Sequence, residues 1–339
     1  LYFYYKSSGI YFLLLVFASV SDYWIAHAIY KVRTQRAKYW LVGLSVLVNL
    51  GMLGYFKYTN FLIEIANNLF GQGFLNFQNI FLPVGISFFV FQSMSYTIDI
   101  CRGQLKPLNN WADYLFYLSF FPQLVAGPIV RAKDFIPQIR QNPLRVTREM
   151  FGMGVFLILI GLFKKAVISD YISLNFVDRI FDEPLLYSGF ECLMGIYGYA
   201  LQIYCDFSGY SDMAIGIALL LGFRFPKNFD APYKSATITE FWRRWHISLS
   251  TWLRDYLYIS LGGNRKGRIR TYFNLLVTML LGGLWHGAGV RFILWGALHG
   301  MALALHKLWL KFVPRSKATG AEMRWFWRIP GIFFTFNLV

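Results

Sequence analysis

Apolar runs of about 20 residues recur along this chain, separated by short basic or polar segments. A helix of that length crosses a ~30 Å hydrocarbon core, so the pattern predicts a series of membrane helices. Residues 10–30 form the first apolar span. It ends at KVRTQRAK, whose Lys31, Arg33, Arg36 and Lys38 place that end in the cytoplasm. Asp22 and His27 lie within the span. A charge at depth should face the protein interior, and His27, near the end, reads as a packing residue. Residues 39–58 return outward and leave the polar NNLFGQGF segment at 67–74 outside. Residues 79–98 come back in, from Pro83 and Gly85 to DICRGQLKP, which puts Arg102 and Lys106 inside.

Residues 111–130 are largely apolar but lead into RAKDFIPQIRQNPLRVTR, with Arg131, Lys133, Arg140, Arg145 and Arg148. Both ends of this segment belong inside, so it cannot be one crossing. It predicts a re-entrant or interfacial pair of short helices broken at FFPQLVAGP, and irregular backbone at depth is tolerated where it lines a cavity. Residues 150–169 go out, with Lys164 and Lys165 near the far end against the charge rule, and an acidic outer loop holds Asp170, Asp178, Asp182 and Glu183. Residues 189–205 return. DFSGYSD and the short run Met213 to Phe223 then read as a second broken element. Residues 224–270, dense in Arg and Lys, lie in the cytoplasm or its interface, 271–285 rise outward, and 290–312 descend toward Lys307, Lys311, Arg315 and Lys317.

Composition agrees with this picture. The 339 residues are 56% hydrophobic and only 15% charged, against roughly 25% in soluble domains, and mean hydropathy is +0.43. The 11 Trp and 22 Tyr suit interfacial belts. A net charge of +16 would point to nucleic acid in a soluble protein; here it sets orientation, and it also suits anionic lipid head groups, coenzyme A phosphates or an acidic carrier protein. Cys101, Cys192 and Cys205 are far apart and lack CxxC spacing, which excludes a disulfide framework and a cysteine metal site. There are no repeats, low-complexity tracts or linkers, so residues 1–339 read as one domain. The first residue, Leu1, and the apolar start at Gly331 to Val339 make both ends read as cut, and a signal peptide cannot be judged.

The chemistry concentrates between Thr239 and Gly289, which holds His246 and His286. Read as one helix, FWRRWHISLSTWLRDY spaces Trp242, Trp245, Leu249, Trp252 and Tyr256 by three and four residues on one face. Arg243, Ser250 and Arg254 share another face, with His246 at the border. That describes an interfacial helix, and spacing alone leaves His246 either a border residue or a site residue. The apolar rise from Thr271 to Trp285 covers about 22 Å at helical pitch, so His286 should stop at membrane depth. Gly282, Gly283, Gly287 and Gly289 allow close helix approach around it. An ionisable group there is a functional candidate, while a histidine bonded between helices is the competing reading. His299 and His306 read as packing or interface residues. An imidazole takes an alcohol's proton near neutral pH without strong tuning, and burial favours the neutral form that a base needs. No GxSxG, Walker, HExxH or Rossmann fingerprint occurs, so a serine hydrolase or nucleotide-driven pump has no support.

These residues resemble the membrane-bound O-acyltransferase family, nearest its alginate O-acetyltransferase-like branch. The matching stretches are LPVGISFFVFQSMSYTIDI at 82–100, YLSFFPQLVAGPIVR at 117–131 and DFSGYSDMAIGIALLLGFRFPKNFDAPY at 206–233. FWRRWHISLSTWLRDYLYISLGGN at 241–264 and GGLWHGAG at 282–289 complete the set. The resemblance implies an all-α polytopic membrane protein: a rosette of tilted helices with re-entrant or interfacial segments and a central tunnel. It places the family's nearly invariant histidine on His286 and its second position on His246.

The reaction it implies moves an acyl group, most simply acetyl, from a cytoplasmic thioester toward hydroxyls of an exported polysaccharide. The donor is acetyl-CoA or an acyl carrier protein. A periplasmic O-acetylation partner, membrane lipids, the bacterial inner membrane and neither a resident cofactor nor a metal complete the expectation. Arg243, Arg244, Arg254, Trp245, Asn264 and Trp285 are the candidate donor-binding residues. A proton-coupled transporter, or a membrane scaffold for a partner acetyltransferase, is the alternative.

Overall fold

The computed structural model describes residues 1–124, 127–139, 141, 145–312 and 325–339. Among them every regular element is helical. In chain order these are α1 (Tyr2–Lys31), α2 (Gln35–Phe70), α3 (Ile86–Cys101), α4 (Trp111–Ser119), α5 (Phe121–Leu124) and α6 (Ala132–Ile139). They continue as α7 (Arg148–Asp182), α8 (Gly189–Leu220), α9 (Ile238–Arg244), α10 (Ile247–Trp252), α11 (Arg268–His286), α12 (Val290–Trp309) and α13 (Trp325–Leu338). By length and composition α1, α2 and α7 could each cross a membrane.

The helices form two compact units. The first comprises residues 1–119, 131–133 and 229–339. Polar positions inside its apolar helices find one another. The buried Asp22 of α1 accepts from Ser45 Oγ (2.6 Å) and Asn49 Nδ2 (2.6 Å) of α2, and from Ser93 Oγ of α3. Ser93 also shares a hydrogen bond with Tyr114 OH of α4 at 2.9 Å. A carboxylate removed from water is tolerated only when it is bonded in this way, and here it ties four helices together.

The second unit comprises residues 120–130 and 134–228. Its main body is the α7–α8 pair, packed backbone to backbone: a Cβ on Gly161 would lie 2.6 Å from the Gly209 carbonyl, and one on Gly216 2.6 Å from the Gly154 carbonyl. Phe135 of α6 meets Phe120, just before α5, and Phe223, just after α8, in a cluster whose ring centroids lie 5.0–5.1 Å apart.

Several expectations change here. The span expected at 39–58 runs on to Phe70, through a π turn at Gly54–Tyr58. The acidic loop after residue 169 is helical to Asp182. DFSGYSD breaks nothing: Gly189–Leu220 is one helix, and Gly209 and its neighbours are the small face that lets α7 approach. The expected break near Pro122 is present as the short α5, while Val125 and Ala126 of that motif, with Arg140, Arg315 and Lys317, lie outside the described residues.

Candidate functional site

The stretch from 238 to 258 is not one helix. Thr237 caps α9 by accepting from Glu240 N (3.1 Å), and α9 ends at Arg244. Trp245 is extended, and His246 takes the left-handed conformation (φ 41°, ψ 56°) before α10 begins. Left-handed backbone is uncommon for a residue with a Cβ and stores of order 1–3 kcal/mol, so the surrounding packing must impose it. The Trp face read from the three-and-four spacing is therefore divided. Trp245 packs on Phe241 (5.5 Å) and Phe229 (5.1 Å). Trp252 stacks on Phe91 at 4.0 Å and donates from Nε1 to the Phe91 carbonyl at 3.0 Å, which anchors α10 on α3.

The break turns the His246 ring inward, where it is 0% exposed, parallel to Phe229 at 6.4 Å and 6.0 Å from the Trp285 ring. His286, the last residue of α11, is exposed and lies 5.1 Å from Trp285. One indole thus has both candidate histidines as neighbours. The border alternative for His246 falls, because the break at residue 246, which the helical reading of the spacing did not contain, seals its ring inside, while His286 ends α11 with part of its surface open.

Close backbone approach brings α12 against this end of α11. A Cβ on Gly283 would lie 2.2 Å from the Phe292 carbonyl, and one on Gly296 2.4 Å from the Met279 carbonyl. Only glycine allows that approach. It sets Trp295 5.2 Å from His286 and 4.4 Å from the buried His299. Trp295 in turn meets Trp242 of α9 at 5.7 Å.

Trp242 lines a cavity of ≈ 750 Å³. Its polar wall includes Arg243, Arg254, Asn264 and Lys307, and its apolar wall includes Leu253, Leu275, Met279 and Leu303. Asn264 Oδ1 accepts from Lys307 Nζ (2.8 Å) and from Tyr258 OH. Arg254 is held by a forked contact to Asp255 (2.7 and 3.3 Å), and Arg131 grips the same carboxylate at 2.6 Å. Burial pushes the Asp255 carboxyl upward, but the two guanidinium groups outweigh it and hold it below the usual carboxylate range. Of the predicted residues, then, Arg243, Arg254 and Asn264 share the cavity, and His246, His286 and Trp285 share the aromatic cluster. Arg244 lines neither, and Trp245 adjoins the cluster through Phe229, the ring beside His246. Arg244 pairs with Glu240 at 2.8 Å, four residues back on α9, and Trp245 is committed to its aromatic neighbours.

Sequence reasoning missed the contacts at the end of α11. Lys57 Nζ, from the π turn of α2, donates to the Trp285 carbonyl and to Ser87 Oγ (3.3 Å), and Tyr58 OH donates to the Leu284 carbonyl at 2.7 Å. A lysine inside an apolar span was the available signal. Trp295 and Lys307 were also passed over, because nothing in the spacing ties them to either histidine.

The family model for membrane-bound O-acyltransferases matches residues 104–339. The chain is 48% identical over 301 residues to a probable alginate O-acetylase of Pseudomonas aeruginosa, a match covering 87% of this chain and 57% of the relative. It is 40% identical over 323 residues to a peptidoglycan O-acetyltransferase of Helicobacter pylori, covering 88% and 61%. It is 30% identical over 330 residues to a teichoic acid D-alanyltransferase of Streptococcus thermophilus, covering 91% and 76%. The chain spans somewhat more than half the length of the first two relatives.

Proposed function

The chain belongs to the membrane-bound O-acyltransferase family, and from that premise we propose that it transfers an acyl group, most simply acetyl, from a thioester to a hydroxyl of an exported polysaccharide. The observation that carries this reading is His286. It is an accessible imidazole at a helix end, linked through Trp295 and Trp242 to a cavity with a cationic and an apolar wall. Arg243, Arg254 and Lys307 suit the phosphates of acetyl-CoA or the acidic surface of an acyl carrier protein, and the leucines and Met279 suit its uncharged arm. His286 takes the acceptor's hydroxyl proton as the hydroxyl oxygen attacks the thioester carbonyl. As the carbon–sulfur bond breaks, the imidazolium returns that proton to the departing thiolate. His246, held rigidly on the other contact of Trp285, orients the donor end of the site.

The named relatives act on different polymers, so the acceptor of this chain is proposed only as a class, a cell-envelope or exported polysaccharide. A periplasmic O-acetylation protein as partner and the bacterial inner membrane as location belong to the same proposal. Membranes containing the protein and its acceptor, supplied with labelled acetyl-CoA, test it. Label appearing as an alkali-labile ester on the polymer supports transfer. Uptake of acetyl-CoA or protons with no ester formed would instead identify a carrier.

A further inference from the structure

The π turn of α2 and the end of α11 are 228 positions apart, yet Lys57 bonds directly to the residue before His286. The helix stops at His286: Gly287 is extended (φ −166°, ψ 152°). The last carbonyls of a helix lack intrahelical partners, and a helix end without caps frays. Two of these carbonyls are taken here, Leu284 by Tyr58 and Trp285 by Lys57. The second is the informative one. The Trp285 carbonyl belongs to the peptide that joins Trp285 to His286, and a peptide is planar. Pinning its oxygen therefore fixes that plane, and with it the position of the His286 nitrogen and Cα from which the side chain leaves.

A neutral hydroxyl suffices at Leu284, so capping alone does not call for an ammonium. Among the described residues no carboxylate pairs with Lys57. The cation rests instead on the negative end of the α11 dipole and 5.6 Å from the centroid of the Trp285 ring. Its other donated bond goes to Ser87, whose carbonyl accepts from Trp285 Nε1 at 3.3 Å. Lys57 thus grips the backbone of Trp285, and Ser87 joins that grip to the indole that also neighbours His246.

We propose that Lys57 is a positioning residue for His286, holding the peptide that carries the base in one orientation toward the acyl donor. The proposal rests on the reading of His286 as the base. It concerns rate and not donor affinity, because Lys57 lies outside the cavity that suits the donor. A misplacement of about 1 Å in a reacting group lowers rates by about 100-fold.

The test uses membranes containing the full-length protein, with labelled acetyl-CoA as the probe, for Lys57→Met, Lys57→Gln, Lys57→Arg and His286→Ala at matched protein levels. Lys57→Met is expected to lower kcat by about 10- to 100-fold with the KM for acetyl-CoA changed less than about twofold. Lys57→Arg, which keeps a charged donor, is expected to restore most of the rate. A Lys57→Met protein with kcat within twofold of wild type overturns the proposal. So does an effect confined to KM, or failure of both uncharged variants to accumulate, which would mark a structural cap only. An active His286→Ala protein removes the base reading and this inference with it. An inactive His286→Ala beside a fully active Lys57→Met removes this inference alone.

Discussion

Two helical pairs in this molecule are zipped in the same way and carry opposite chemistry. In α7–α8 and in α11–α12, glycines let one backbone sit on the carbonyls of the other. In α7–α8 the ionisable groups neutralise one another: Lys164 meets Asp212 at 2.6 Å, and Lys165 meets Asp206 at 2.6 Å and Asp170 at 2.7 Å. From Arg268 to Trp309, α11 and α12 contain no Asp or Glu at all. His286 and His299 lie against tryptophans, with Lys57 arriving from another helix at the peptide before His286. The charges of α7–α8 satisfy one another, whereas the imidazoles of α11 and α12 have no carboxylate on their own hairpin to pair with, as the proposed base requires. The shared packing thus says little about role, and the charge inventory separates the two pairs.

The comparison is sharpened most by changing the shared feature. Gly161→Leu in α7 and Gly283→Leu in α11 would each drive a side chain into a carbonyl, at 2.6 and 2.2 Å from the Cβ. Each is expected to destabilise by about 1–3 kcal/mol, read as a lower thermal midpoint in detergent. Only Gly283→Leu should also reduce transfer per folded molecule, because it displaces Trp295 from His286. Equal loss of specific activity in both would break the distinction.

A smaller effect comes from unpairing the α7–α8 charges. Lys164→Ala leaves Asp212 without its partner in a partly exposed site, and the expected loss is about 1 kcal/mol. The exchange Lys164→Asp with Asp212→Lys should recover most of it, with transfer unchanged throughout.

The smallest effect is at Asp255, outside the apolar spans. Its carboxyl is held low in the folded protein, so the stability it contributes is present above the unfolded carboxylate pKa of about 4 and is lost as pH falls through the lower folded value. The difference in thermal midpoint between wild type and Asp255→Asn should therefore be constant from pH 8 to about 5 and vanish only in stronger acid. A difference that varied near neutral pH would contradict the assigned ion pairs.

The helical class, the apolar helices near residues 10–30, 39–58 and 150–169, and the end of α11 at His286 were legible in the sequence, because each depends on local hydropathy. Of the six candidate donor-binding residues, Arg243, Arg254 and Asn264 line one cavity, and Arg244, Trp245 and Trp285 do not. What could not be read depends on tertiary packing. The three-and-four spacing from Trp242 to Tyr256 fits one helix, and only contacts with Phe229, Phe91 and Trp285 show why the backbone turns over at His246. DFSGYSD looks like a break because Gly and Ser favour turns, yet the same small residues suit a tight helix face. Lys57 was hidden for the simplest reason: its partner is 228 residues away.

The most direct test of the account is the ester content of the acceptor polymer in cells carrying His286→Ala, at wild-type protein level and thermal midpoint. Because the ring is exposed at a helix end, the substitution should leave folding nearly unchanged while transfer falls by about 100- to 10,000-fold, the range of a lost general base. Polymer acetylated at the wild-type level by a normally folded His286→Ala protein would contradict it.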